Sequence, residues 1–163
     1  MATGQTLIQW TALANEPPAA SYATLDSRNS QPCLDFDGAA DEEAVFSGVM
    51  PRHYSGGGIT AKLHVRFTSA TSGNAYWQAA FEKKTTDADA DSFASFKGAA
   101  GNPNGTSGIE TVVSIAFTDG AEIDSIVVGD GFRFKVRRDA DGSAGTDDTT
   151  TDAELTEVEL IET

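Results

Sequence analysis

Nine consecutive residues, Ile59 to Phe67, alternate without a break between apolar and polar side chains. Ile59, Ala61, Leu63, Val65 and Phe67 take one set of positions, and Thr60, Lys62, His64 and Arg66 the other. A period of two matches a strand, whose side chains point to opposite faces in turn, and it cannot line one face of a helix. The segment predicts a strand buried on one side and wet on the other, as in antiparallel sheets. The same parity recurs at Leu34 and Phe36 against Asp35 and Asp37, and at Ala75, Trp77, Ala79 and Phe81. It returns at Ile109, Thr111, Val113, Ile115 and Phe117, and at Phe132, Phe134 and Val136 against Arg133, Lys135 and Arg137.

Shorter apolar runs at 45–50 and 121–128 and a final run at 154–161 complete about eight expected strands. Ser55–Gly58, Ser72-Gly73 and Gly129–Gly131 punctuate them. Residues 83–108 and 139–152 read as polar loops. Phe93 and Phe96, three apart, predict a short helical turn that pins the first loop to the core. No segment has the period of an amphipathic helix, so the chain is expected to be all-β: an antiparallel β-sandwich, jelly-roll-like. Its core is expected to hold Leu63, Val65, Phe67, Trp77, Phe81, Val113, Ile115, Phe117, Phe132, Phe134 and Val136. A length of 163 residues suits one such domain over 33–163, preceded by an extended arm over 1–32. Pro17, Pro18 and Pro32 break regular structure in that arm.

Eleven Lys and Arg against 25 Asp and Glu give a net charge of −14. Binding to nucleic acid or to an anionic membrane surface is not expected, since both need clustered cations. No apolar stretch is long enough to cross a bilayer as a helix. The opening residues lack the pattern of a secretory signal peptide, and Cys33 is the only cysteine, so assembly in a cytoplasm is expected.

Catalytic signals are sparse. His53 and His64 read as surface residues, and Cys33 as a small buried hydrophobe. Neither a nucleophile elbow nor a phosphate-binding glycine loop is present, and Ser55–Gly58 precedes a strand rather than a helix. No enzyme activity and no cofactor are expected. The spacing of Asp87, Asp89 and Asp91 imitates the start of a calcium loop. However, Ser92 stands where such a loop needs glycine, and Gly98 where it needs glutamate. A structural calcium there, or at Asp139 and Asp141, is the one metal reading that the residues allow.

Two segments suggest contacts with other chains. Leu7, Ile8 and Trp10 cluster near the N-terminus of a polar chain. They either pack on their own domain or dock on a neighbour, and docking is the expectation taken here. Arg133, Lys135, Arg137 and Arg138 lie just before a segment, 139–163, that carries nine acids and no cation. Two arrangements follow: a solvated cationic face beside an acidic loop, or intersubunit pairing of those four cations with the next subunit's acidic segment.

An ordered set of strand and turn signatures then carries a family resemblance. It runs from Phe46, Pro51 and Tyr54-Ser55-Gly56-Gly57 to Phe67, through Thr71-Ser72-Gly73, Trp77 and Phe81. It resumes at Ile126, Gly129-Asp130, Phe134–Val136 and Arg138-Asp139, then Asp148-Thr149, Asp152-Ala153, Leu155 and Val158. Over most of 44–161 the chain resembles small jelly-roll-like virion proteins of tailed bacteriophages. The resemblance implies a non-enzymatic module, foremost a capsid decoration or cement protein bound to the major capsid protein as a homotrimer. The alternative is a tail, baseplate or fibre module with host-glycan contact. It supplies no ligand residues.

Overall fold

A computed structural model describes residues 4–163. Ten strands are seen among them: β1 (Thr6–Thr11), β2 (Thr24–Arg28), β3 (Gln31–Phe36), β4 (Glu42–Val49), β5 (Ile59–Phe67), β6 (Tyr76–Lys83), β7 (Lys97–Ala100), β8 (Thr111–Phe117), β9 (Gly131–Arg138) and β10 (Ala153–Glu162). Six form one sheet in the order β2-β3-β10-β5-β8, with β1 also paired to β10; four form the other, β4-β9-β6-β7. All strand pairings within these sheets are antiparallel. The chain is therefore an all-β antiparallel sandwich, jelly-roll-like, as the alternation predicts.

The inner faces meet in one core. Strand β5 contributes its odd residues, all fully buried, exactly on the period read from the sequence. Phe81 lies at the centre of an aromatic cluster, 4.9 Å from Phe117 and 4.8 Å from Phe134 between ring centres. Every residue of the expected core list is buried.

The N-terminal residues depart from expectation. Residues 6–28 are no separate arm, because β1 and β2 are strands of the first sheet. Leu7 and Trp10 are buried and Ile8 packs on the core. Trp10 stacks on Phe46 at 5.5 Å and on Phe134 at 6.1 Å, and its indole N–H donates to the Ser47 carbonyl at 3.0 Å. Gly48 makes this approach possible: a Cβ there would lie 2.7 Å from the Ile8 side chain and 3.1 Å from the Trp10 ring. Leu7, Ile8 and Trp10 thus close the sandwich, and the docking expectation for them is corrected. Burying an amphipathic indole with its N–H satisfied is more favourable than holding it in water.

The next segment seals an edge. Glu16 N–H donates to the Val45 carbonyl and Ala23 N–H to the Glu43 carbonyl, while Asn15 Oδ1 accepts from Val45 N–H. Residues 15–23 therefore cover the open side of β4, which would otherwise expose unpaired backbone groups. The run 121–128 is no strand either. A 3-10 turn, Ala121–Ile123, leads into Asp124 and Ser125, both at φ 53°, a left-handed geometry incompatible with a ladder. Strand β7, inside the expected loop 83–108, carries only Lys, Gly and Ala and has no alternation to read.

Strand β10 holds the feature that shapes the surface. Its pairing to β5 slips between Leu155 and Glu157, so Thr156 is an extra residue. Inward positions are Ala153 and Leu155 before the slip, and Val158 and Leu160 after it. On its other side β10 pairs with β3 through residues 153–155 and with β1 through residues 157–161. Strands β3 and β1 thus lie end to end, with a gap beside Thr156.

Trp10→Ala is expected to cost ~3–5 kcal/mol through lost transfer energy and a cavity. Urea unfolding of the full chain measures it. An unchanged midpoint would mean that β1 is not part of the core.

Candidate functional site

Strand parity places Arg133, Lys135 and Arg137 on the outer face of the second sheet and turns Arg138 inward. The outer three have partners within their own chain. Arg133 Nε donates to Glu82 Oε1 at 2.6 Å, Lys135 pairs with Glu43 at 2.7 Å, and Arg137 Nε donates to Gln78 Oε1 at 2.9 Å. The 84–96 loop roofs them. Lys135 lies 4.4 Å from the centre of the Phe93 ring, and Arg137 lies 4.3 Å from that of Phe96. Phe93 and Phe96 therefore pin the loop through cation–π contacts on the outer face, and not through a helical turn on the core.

Arg138 is fully buried. Its Nε and Nη2 donate to the two oxygens of buried Asp147, both at 3.0 Å. Nη1 also donates to the Thr151 carbonyl at 2.7 Å, and Nη2 to the Thr149 carbonyl. Asp147 belongs to the acidic C-terminal segment. That segment folds back on its own chain's arginine, and the outer three cations have other partners, so the alternative of intersubunit pairing for Arg133, Lys135, Arg137 and Arg138 gives way to pairing within the chain.

The carboxylates fall into separate settings. Asp91 accepts from Thr85 N–H at 3.1 Å and from its hydroxyl at 2.6 Å, and Asp87 accepts from Asp89 N–H at 3.2 Å. These three acids organise a turn. The trio whose oxygens come within 4.8 Å of one another is Asp41, Asp139 and Asp141. Asp139 is buried and accepts from Ser143 Oγ, Ala144 N–H and Gly145 N–H at 2.9–3.0 Å. Its oxygens are thereby engaged by the protein.

The outer face of the first sheet is less covered. A groove of about 480 Å³ crosses it where β3 and β1 meet end to end. Thr156 and Glu157 of the bulge, with His64 and Arg66 of β5, form its floor. Leu13 and Pro32 stand on its walls. His64 Nδ1 is 2.9 Å from Glu110 Oε1, and Arg66 Nη1 donates to Gln31 Oε1 at 2.9 Å. Gln9 Nε2 donates to Glu157 at 3.2 Å. His53 lies apart, its Nε2 3.2 Å from the Thr6 carbonyl oxygen. Sequence reasoning missed this groove because it depends on the Thr156 bulge. Beside it, an apolar hollow of about 230 Å³ is lined by Leu13, Pro17, Tyr22 and Leu25. Leu13, Tyr22 and Leu25 are 66, 49 and 56% exposed.

Deeper on the same sheet, burial pushes the Cys33 thiol up to about 11, with Glu154 adding to it. Burial, then Asp152 and Glu154, push Asp35 up to about 6 from 3.8. Its Oδ1 is buried without a hydrogen-bond partner.

No family model and no curated protein matches this chain. Among solved structures, it is similar in fold to the CBM22-1 xylan-binding domain of Paenibacillus barcinonensis Xyn10C, at 12% identity and TM-score 0.53 over 99% of this chain and 97% of that one. A family 35 carbohydrate-binding module from an environmental isolate gives 9% identity and TM-score 0.53, covering 94% and 92% of the two chains. The CBM22-2 xylan-binding domain of the same Xyn10C gives 14% and 0.52, covering 92% of each. These likenesses establish the sandwich fold.

Asp35 sets a pH dependence whose sign is fixed. Between about pH 4 and 6 the native state keeps a proton that the unfolded state releases, so this group's contribution to stability is lost as pH rises through that window. Asp35→Asn is therefore expected to melt higher than the parent at pH 7.5, and the difference is expected to vanish near pH 4. Calorimetric melting at both pH values measures it; equal differences would rule the assignment out. Glu122, held down to about 2 by Lys97 and Thr118, acts in the opposite sense and cancels in the comparison.

Proposed function

We propose that this chain is a non-catalytic structural module of a tailed-bacteriophage virion, acting as a decoration protein on the major capsid protein. The observation that carries the attachment is the apolar face of Leu13, Tyr22 and Leu25 around its hollow. Large apolar side chains gathered in one place on a chain of net charge −14 favour a protein partner over solvent. Each is worth ~1.5–3 kcal/mol when fully buried. The face borders β2, which pairs only with β3 among the described residues, so a row of backbone donors and acceptors lies alongside it. The family resemblance of residues 44–161 supplies the kind of partner and the virion setting, with assembly in the host cytoplasm.

The non-catalytic reading is supported by the setting of the groups that could react. His64 is engaged by Glu110, His53 lies apart on the surface, and Cys33 is buried with its thiol held protonated. Attachment thus moves from the β1 cluster to the segment that follows it. The homotrimer rests on the resemblance, since the four cations of β9 are consumed within the chain.

Two measurements test this reading. A Tyr22→Asp, Leu25→Asp double variant is expected to melt like the parent, because both side chains are exposed. It is also expected to bind undecorated capsids at least ~10-fold more weakly. Unchanged binding would reject this face, and binding to isolated tails alone would reject the capsid. Multi-angle light scattering of the full chain at micromolar concentration is expected to return three times the chain mass of 17.1 kDa; a monomer or dimer would reject the trimer.

A further inference from the structure

We infer that the groove on the outer face of the first sheet is a binding site for a saccharide that carries a carboxylate, with Arg66 as the residue that receives it. The inference does not depend on where the chain sits on a particle.

Arg66 differs from the other strand-borne arginines. Arg28, Arg133, Arg137 and Arg138 each have a carboxylate partner. Arg66 is half-buried on the groove floor, and its one hydrogen bond within the described chain is to the neutral Gln31 amide. A guanidinium carries five N–H donors, so roughly four remain for a ligand. Gln31 orients the planar fork, and a fork held in place suits a carboxylate, which it can engage with two parallel hydrogen bonds. Glu154, its neighbour across the sheet, is taken by Arg28 at 3.3 Å and does not compete.

The rest of the groove offers the complement of a hydroxylated ring. His64 Nδ1 is held 2.9 Å from Glu110 Oε1, which leaves Nε2 to meet a ring hydroxyl. Glu157 has Gln9 on one side and keeps lone pairs for O–H donors. Thr11 adds a hydroxyl at the rim, while Leu13 and Pro32 form an apolar wall against which C–H groups can pack. The volume, about 480 Å³, falls within the range of small-molecule sites. A zwitterionic peptide end would also meet Arg66. It brings no ring to pack its C–H groups against Leu13 and Pro32. A neutral sugar would leave the guanidinium unmatched.

The test is an amide chemical-shift titration of the full chain with trigalacturonic acid and with sialyllactose. Galactotriose and diglycine serve as controls, each up to ~10 mM to cover weak affinities. At least one carboxylated saccharide is expected to shift residues around His64, Arg66 and Thr156 and to leave the second sheet still. Its affinity is expected to fall with added salt, because the contact is an exposed ion pair. Arg66→Gln is expected to weaken it by roughly tenfold or more, and Arg66→Lys to restore only part, since an ammonium lacks the fork. Absence of a response to both acidic saccharides overturns the inference. So does an equal response to galactotriose, shifts outside the groove, or binding of diglycine in their place. Should Arg66→Gln fail to fold, the wild-type shift map with its salt dependence decides. Capsid binding of a folded Arg66→Gln is expected to equal that of the parent, so failure here and failure of the attachment reading are distinct results.

Discussion

A buried arginine ties the two sheets of this sandwich together at one end. Arg138 sits where the alternation of β9 calls for an apolar residue, and it is tolerated because its donors meet Asp147 and the carbonyls of Thr149 and Thr151. Asp147 in turn accepts from the Tyr76 N–H, which ties β6 to the same point. Burying an ion pair costs desolvation that mutual attraction roughly offsets, so the pair contributes little net stability against an apolar substitute. Its effect is on specificity. Removing either partner would leave a bare buried charge, at a cost of ~3–5 kcal/mol. Any arrangement of residues 139–152 that does not deliver Asp147 and these carbonyls to Arg138 is therefore strongly disfavoured.

That constraint decides how the charge of the molecule is spent. With Arg138 committed inward, Arg133, Lys135 and Arg137 on the outer face of the second sheet are engaged by Phe93, Phe96 and their carboxylate neighbours. The first sheet keeps the open surface. Its groove and apolar hollow meet at Leu13, on the segment that carries the chain from one sheet to the other. Structure and surface chemistry are linked here: the crossing that seals the β4 edge also presents the exposed side chains.

Much of the architecture was legible in the alternation of side chains. Strand β5 and strand β9 follow it residue by residue, but Arg138 reads with the outward cations, although the parity of β9 turns it inward, because the acidic segment that meets it is far from obvious in sequence. The readings that failed share a cause. Leu7, Ile8 and Trp10 are as apolar as a docking element would be, and only the position of Gly48 and the Phe46–Phe134 pair shows that a cavity inside the same chain already fits them. Ala121–Val128 is apolar like a strand, but its backbone is turned by Asp124 and Ser125.

Fold class, the buried face of each regular strand and the net charge of −14 are legible in the unfolded chain, because they depend on period and composition, which are local or summed properties. Which cations are spent internally, where the apolar surface remains and that a groove exists at all depend on which strands meet in space. The groove arises from one extra residue, Thr156, and from the end-to-end meeting of β3 with β1 along β10. A one-residue slip changes the facing of everything after it: the apolar positions of β10 pass from odd, at Ala153 and Leu155, to even, at Val158 and Leu160, but what opens beside the slip depends on which strands flank it.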